Sequence, residues 1–104
     1  MENKVINDIR ELMHDRNIGT KEAILEHLLD VQRRKDHDYN GAFDKACNRL
    51  GDVYAVGKIY EKTERIITLS GATNEVEDEG LADAVLDNMG YCLLYLARLV
   101  EDTI

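Results

Sequence analysis

Gly80-Leu81-Ala82-Asp83-Ala84-Val85-Leu86-Asp87-Asn88-Met89-Gly90-Tyr91-Cys92-Leu93-Leu94-Tyr95-Leu96-Ala97-Arg98-Leu99-Val100-Glu101 decides the fold class of this chain. Leu81, Val85, Met89, Cys92, Leu96 and Leu99 recur three or four residues apart. That period puts them on one stripe of an α-helix running from about Glu79 to Glu101. The rest of the chain agrees. There is no proline among its 104 residues. Valine and isoleucine nowhere alternate with polar residues over a long stretch, so sheets are disfavoured. The expected class is all-α.

Working outward from that helix, an acidic run from Glu75 to Glu79 follows a loop at Ser70-Gly71-Ala72-Thr73-Asn74. Before the loop, a helix starts near Ala42 and either continues to Leu69 or breaks on the way, with Phe43, Ala46, Cys47 and Leu50 on one stripe and Ile59, Ile66 and Leu69 on another. Gly51-Asp52 and Gly57 are its weak points. An earlier helix spans about Lys21 to Arg34, with Ile24, Leu25, Leu28, Leu29 and Val31 as its apolar face. The polar stretch from Lys35 to Gly41 reads as the loop after it. The first helix spans about Glu2 to Asp15. Asn17-Ile18-Gly19 ends it, with Gly19 as the expected left-handed residue. The expected architecture is an antiparallel bundle of about four helices, one domain over residues 1–104.

Composition narrows the function classes. There are 21 acidic and 13 basic residues, a formal net charge of -8. Such a surface repels phosphate backbones, so direct nucleic-acid binding is not expected. The acidity fits a solubilising surface, a divalent-cation site, or an imitation of DNA directed at a basic partner. Cys47 and Cys92 lie far apart on apolar stripes and read as buried, reduced thiols. The opening residues are charged and amphipathic, and no apolar run reaches the roughly 20 residues that span a bilayer. A cytoplasmic protein without membrane contact is the expectation. A chain this short builds a modest core, and oligomer formation would supplement it.

Two constellations carry candidate chemistry. Glu61 and Glu64 share a helix face, with Lys62 and Arg65 beside them. Glu79, Asp83 and Asp87 form a carboxylate ladder spaced by four, and Asp83 and Asp87 stand among aliphatic neighbours. If the two helices face each other, these carboxylates supply the oxygen ligands that Mg²⁺ prefers, and the basic residues neutralise phosphate. The alternative is a solvated face of intrahelical ion pairs. The second constellation is Lys35, Asp38 and Tyr39 ahead of Asn40-Gly41. There Lys35 would hold phosphate and the Tyr39 ring would stack on a base or seat the turn. No set of residues for nucleophilic catalysis, P-loop or dinucleotide fingerprint is present, so no catalytic residue is assigned.

Three segments in order resemble a known family. Lys35-Asp36-His37-Asp38-Tyr39-Asn40-Gly41 resembles its K-x-x-D-Y-G opening. Tyr60-Glu61-Lys62-Thr63-Glu64-Arg65-Ile66 resembles a D-K-x-x-R-I helix, and Asp83-Ala84-Val85-Leu86-Asp87-Asn88-Met89-Gly90-Tyr91 resembles a D-T-L-x-D-L-x-x-Y helix. The order is similar to that of phage and bacterial nucleotide modification associated domains, themselves akin to the all-α NTP pyrophosphatases of the MazG and dimeric dUTPase group. The resemblance implies a MazG-like bundle, often oligomeric, that handles nucleotides with Mg²⁺. Glu61, Glu64, Asp83 and Asp87 would hold the metal. Lys35, Lys62 and Arg65 would hold phosphate, and Asp38 and Tyr39 would shape the nucleotide pocket. The implied activity is cleavage of a nucleoside triphosphate to the monophosphate and pyrophosphate. Asp83 and Asp87 depart from the pattern, being four apart where the family has three, and Gly80 stands where its glutamate would be. The competing expectation is a noncatalytic acidic protein that inhibits a host defence or nucleic-acid enzyme, through Glu75, Glu77, Asp78 and Glu79.

Overall fold

Asn3 opens the first helix, its Oδ1 accepting a hydrogen bond from the Ile6 backbone N–H at 3.0 Å, which satisfies one of the free donors of a helix start. Beyond it the described residues are helical apart from short turns. The structure, a computed structural model, describes residues 3–39, 41–71 and 77–103; within these, residues 36–39, 77–79 and 103 are described by their backbone alone. Five helices lie among the described residues: α1 (Lys4–Arg16), α2 (Thr20–Tyr39), α3 (Ala42–Leu50), α4 (Asp52–Ser70) and α5 (Glu77–Thr103). No strand occurs among the described residues. None of their helices is long and apolar enough to cross a membrane.

The helix ends differ from the sequence expectations for local reasons. The left-handed residue after α1 is Asn17, at φ 51° and ψ 51°, rather than Gly19. Asparagine tolerates this region because its short polar side chain bonds locally. The stretch from Lys35 to Tyr39 is helix rather than loop. Its residues are polar but none breaks a helix, and the break waits for Gly41 at φ 69°. The segment from Ala42 to Leu69 breaks into two helices at the first of its two weak points. Gly51 divides them at φ 83°, ψ -177°, a region essentially reserved for glycine, while Gly57 stays inside α4.

The pairings run mainly between sequence neighbours. α4 and α5 form the most extensive contact, α1 packs on α2, α3 on α4, and both α1 and α2 touch α5. Thr63 meets Asn88 and Lys62 meets Asp87, while Leu69 packs at Gly80, so α4 and α5 run antiparallel. Arg98 ties α5 to α3 by donating to Asp44 Oδ1 and Asn48 Oδ1, each at 3.2 Å. Arg16 and Glu26 pair across α1 and α2 at 3.0 Å.

The interior is made of small residues. Ala23, Leu28, Cys47, Ala55 and Ala84 are the buried hydrophobic residues among those described, and no large side chain is fully enclosed. Alanines at the contact allow close helix approach but contribute little apolar area each. Cys47 is buried as expected. Cys92 is not: it is exposed, because its stripe on α5 points away from the other helices. The radius of gyration is 15.2 Å, against about 13 Å for a self-contained domain of about 100 residues.

Candidate functional site

One face of α5 builds most of the site. Asp87, Gly90, Tyr91 and Leu94 are spaced three, one and three apart, so a single stripe carries a carboxylate, a gap, a ring and an aliphatic floor. Gln32 and Lys35, three apart, project from the facing side of α2. Phe43 at the start of α3 and Tyr54 at the start of α4 close the wall. The cleft so formed has a volume of about 330 Å³, at the lower end of small-molecule sites.

Gly90 leaves room on α5 for the Gln32 side chain of α2. It is buried, and a Cβ there would lie 2.5 Å from Gln32 Nε2. The aromatic wall is a contiguous cluster. Phe43 meets Tyr54 edge-on at 5.9 Å between centroids, and meets Tyr91 at 6.2 Å with a 38° tilt. Lys58 Nζ sits 5.6 Å from the Tyr54 ring centroid, a cation–π contact. The Glu61 carboxylate, 3.4 Å away, raises the Lys58 ammonium above its usual lysine value.

At the mouth, three helices meet on one carboxylate. Asp87 Oδ2 lies 3.4 Å from Lys62 Nζ and Oδ1 lies 3.7 Å from Lys35 Nζ. Two ammonium groups on separate helices thus share one counter-charge, leaving a local surplus of one positive charge in an otherwise acidic chain. Each Nζ carries three donors, and a single carboxylate cannot saturate both. An anion bridging the lysines would meet a preformed pair.

The structure brings together part of the residue set expected from the sequence. Lys35, Lys62 and Asp87 converge. Glu61 turns to Lys58 within its own helix. Glu64, Arg65 and Asp83 are exposed, with no ion pair among the described residues. No three carboxylate, histidine or cysteine side chains among the described residues gather to hold a metal ion. Glu61, Glu64, Asp83 and Asp87 as placed therefore do not form a Mg²⁺ cradle. The side chains of Asp38 and Tyr39, and those of the acidic run Glu75, Glu77, Asp78 and Glu79, lie outside the described residues.

Gln32, Tyr54 and Lys58 were not singled out by the sequence, and Phe43 was read only as a core residue. The available signal was compositional. The chain has six aromatic residues, and three of them meet in this cluster. A glycine inside a helix, one residue before Tyr91, was a second signal of close approach.

Cys47, one turn after Phe43 on α3, is buried and is not among the lining residues of the cleft, and burial pushes its thiol above the usual cysteine range. No family model matches the chain, and neither a curated protein nor a solved structure matches it.

Proposed function

We propose that this protein binds a nucleotide, with the planar base against the Phe43, Tyr54 and Tyr91 rings and the phosphates on Lys35 and Lys62. The observation that carries the reading is the meeting of two lysines from different helices at the edge of an aromatic cleft. Aromatic faces stack on any base, and a pair of ammonium groups supplies charge-assisted donors to phosphate. The phosphate would displace Asp87 from its lysines. The resemblance to nucleotide-handling domains supports the same ligand class.

The reading is one of binding. Cleavage to a monophosphate and pyrophosphate would need a metal, and the four carboxylates named for it stand apart, so no cleavage step is derived. Lys35 and Lys62 alone bind and orient.

Calorimetric titration of the protein with ribo- and deoxynucleoside mono-, di- and triphosphates tests this, run once with Mg²⁺ and once with a chelator. The expected result is saturable binding in both, weakened by added salt and lost in a Lys35→Ala/Lys62→Ala double variant. Inorganic pyrophosphate should bind more weakly than a complete nucleotide, since it leaves the aromatic wall bare. Absence of binding by every nucleotide overturns the proposal. Pyrophosphate release from any triphosphate would show that the carboxylates rearrange around a metal.

A further inference from the structure

We infer that a second copy of this chain covers the outer face of the α4–α5 pair, completing a core that one chain leaves open. The starting observation is that large apolar side chains are outside rather than inside. On α4, Val53, Val56, Tyr60 and Ile67 are exposed, Val53 by 72 % and Tyr60 by 63 %. On α5, Val85, Leu96 and Leu99 are exposed, Leu96 by 59 %, and Cys92 is exposed between them.

These are two helical stripes, and they lie side by side. Thr63 belongs to the first, three beyond Tyr60 and four before Ile67; Asn88 belongs to the second, three beyond Val85 and four before Cys92. Thr63 and Asn88 are hydrogen-bonded to each other. Their bond therefore marks the line along which the two stripes join into one face. The cleft, with Tyr54, Lys58 and Gly90, lies on the opposite side.

Three features point to a second copy as the occupant. The seven large side chains expose between 39 % and 72 % of their surface, an apolar area approaching the roughly 800 Å² per partner of a standard stable interface. The stripes run with the spacings three, four, seven on α4 and seven, four, three on α5. In an antiparallel pair these orders coincide row by row. A two-fold axis through the face then sets each α4 row on an α5 row of the other chain, the self-complementarity that an isologous dimer needs. The product is a four-helix bundle with an aliphatic centre. Finally, Glu64 at the edge of the α4 stripe is the one charged residue at its spacing and the α5 stripe carries none, so most of the acidic surplus of each copy lies away from the contact.

Sedimentation equilibrium of the full chain tests this, with thiol alkylation as a second readout. Wild type should sediment as a dimer at micromolar concentration. Val56→Glu and Leu96→Glu should each be monomeric with unchanged helical circular dichroism. Leu25→Glu, an exposed leucine on α2 away from this face, should remain dimeric. Cys92 should be alkylated at least tenfold more slowly in wild type than in the Leu96→Glu variant. A wild type that is monomeric at 100 µM overturns the inference, as does alkylation of wild-type Cys92 at the rate of a free thiol. If the face variants unfold, the wild-type mass and its Cys92 protection decide.

Discussion

Lys62 on α4 stands 3.4 Å from Asp87 on α5, and the same carboxylate faces Lys35 on α2 at 3.7 Å. All three side chains are partly exposed, so these pairs contribute at most about 1 kcal/mol each to stability. Their larger consequence is competition. Asp87 neutralises charge that a bound phosphate would otherwise meet. Asp87→Asn should leave the melting temperature within a few degrees of wild type. It should tighten pyrophosphate binding several-fold, measured by calorimetry at constant ionic strength. Unchanged or weaker affinity would separate these lysines from phosphate binding.

Thr63 is the polar joint between α4 and α5. Its hydroxyl donates to the Ile59 carbonyl at 2.8 Å and accepts from Asn88 Nδ2 at 3.2 Å. Asn88 Oδ1 is buried with no hydrogen-bond partner among the described residues. In Thr63→Val, the Asn88 amide would lose its acceptor as well, at a cost of about 1–3 kcal/mol. Urea denaturation at a fixed protein concentration measures it. A Thr63→Val/Asn88→Leu double variant should recover part of the loss, since both orphaned groups are then gone.

Gly51 and Gly57 make a matched pair of tests. Both are exposed, and neither has any atom within 4 Å of where a Cβ would sit. They differ only in backbone conformation. Gly51→Ala forces alanine into a glycine region and should cost about 1–3 kcal/mol. Gly57→Ala replaces a helix-interior glycine and should add about 0.5–1 kcal/mol. Equal effects from thermal melts would mean that the break between α3 and α4 does not depend on Gly51.

Much of this architecture was legible in the one-dimensional pattern, and the remainder shows where such patterns stop. The stripe on α5 announced its helix. The same stripe did not reveal that Cys92 and Leu96 face outward, because periodicity identifies an apolar face and says nothing of what covers it. Lys35 was expected on a loop and sits on α2, since polar composition resembles a turn while only Gly41 has the conformation of one. Lys62 and Asp87 were both named from the sequence, in the roles of phosphate holder and metal ligand. Their direct pairing was not, because it depends on the relative rotation of α4 and α5. Tyr54 and Gln32 entered the cleft only through tertiary packing.

Gly90 predicts a coupling between packing and binding. Its Cβ position is 2.5 Å from Gln32 Nε2, so Gly90→Ala must displace the end of the Gln32 side chain. The atom met is the end of a flexible, half-buried side chain, so stability should change by less than about 1 kcal/mol. Nucleotide affinity should fall, because the displaced Gln32 amide lines the cleft. Rescue by Gln32→Ala, read by both melting and calorimetry, would identify the clash as the cause.

The titrating groups predict alkaline sensitivity. Burial raises the Cys47 thiol and the Tyr95 phenol above their usual values, and Glu61 raises the Lys58 ammonium. Each group holds its proton more tightly when folded. The unfolded chain therefore releases protons first as pH rises, and stability falls. The melting temperature should be flat from pH 7 to about pH 8.5, then decline through the ordinary thiol, phenol and lysine ranges. Cys47→Ala should delay the onset of that decline. A melting temperature that rises above pH 9 would contradict these environments.

The helix pairings chiefly join neighbours along the chain, α1 with α2, α3 with α4 and α4 with α5. Few distant segments must find one another before favourable contacts begin. Chains with such local topology cross their folding barrier in microseconds to milliseconds. Each helical hairpin can therefore form while its apolar stripe is still facing water, and in the dimer inferred above chain encounter would be the slow, concentration-dependent event of assembly. Refolding traces should separate into a rapid unimolecular rise in helix content and a later phase whose rate scales with protein concentration.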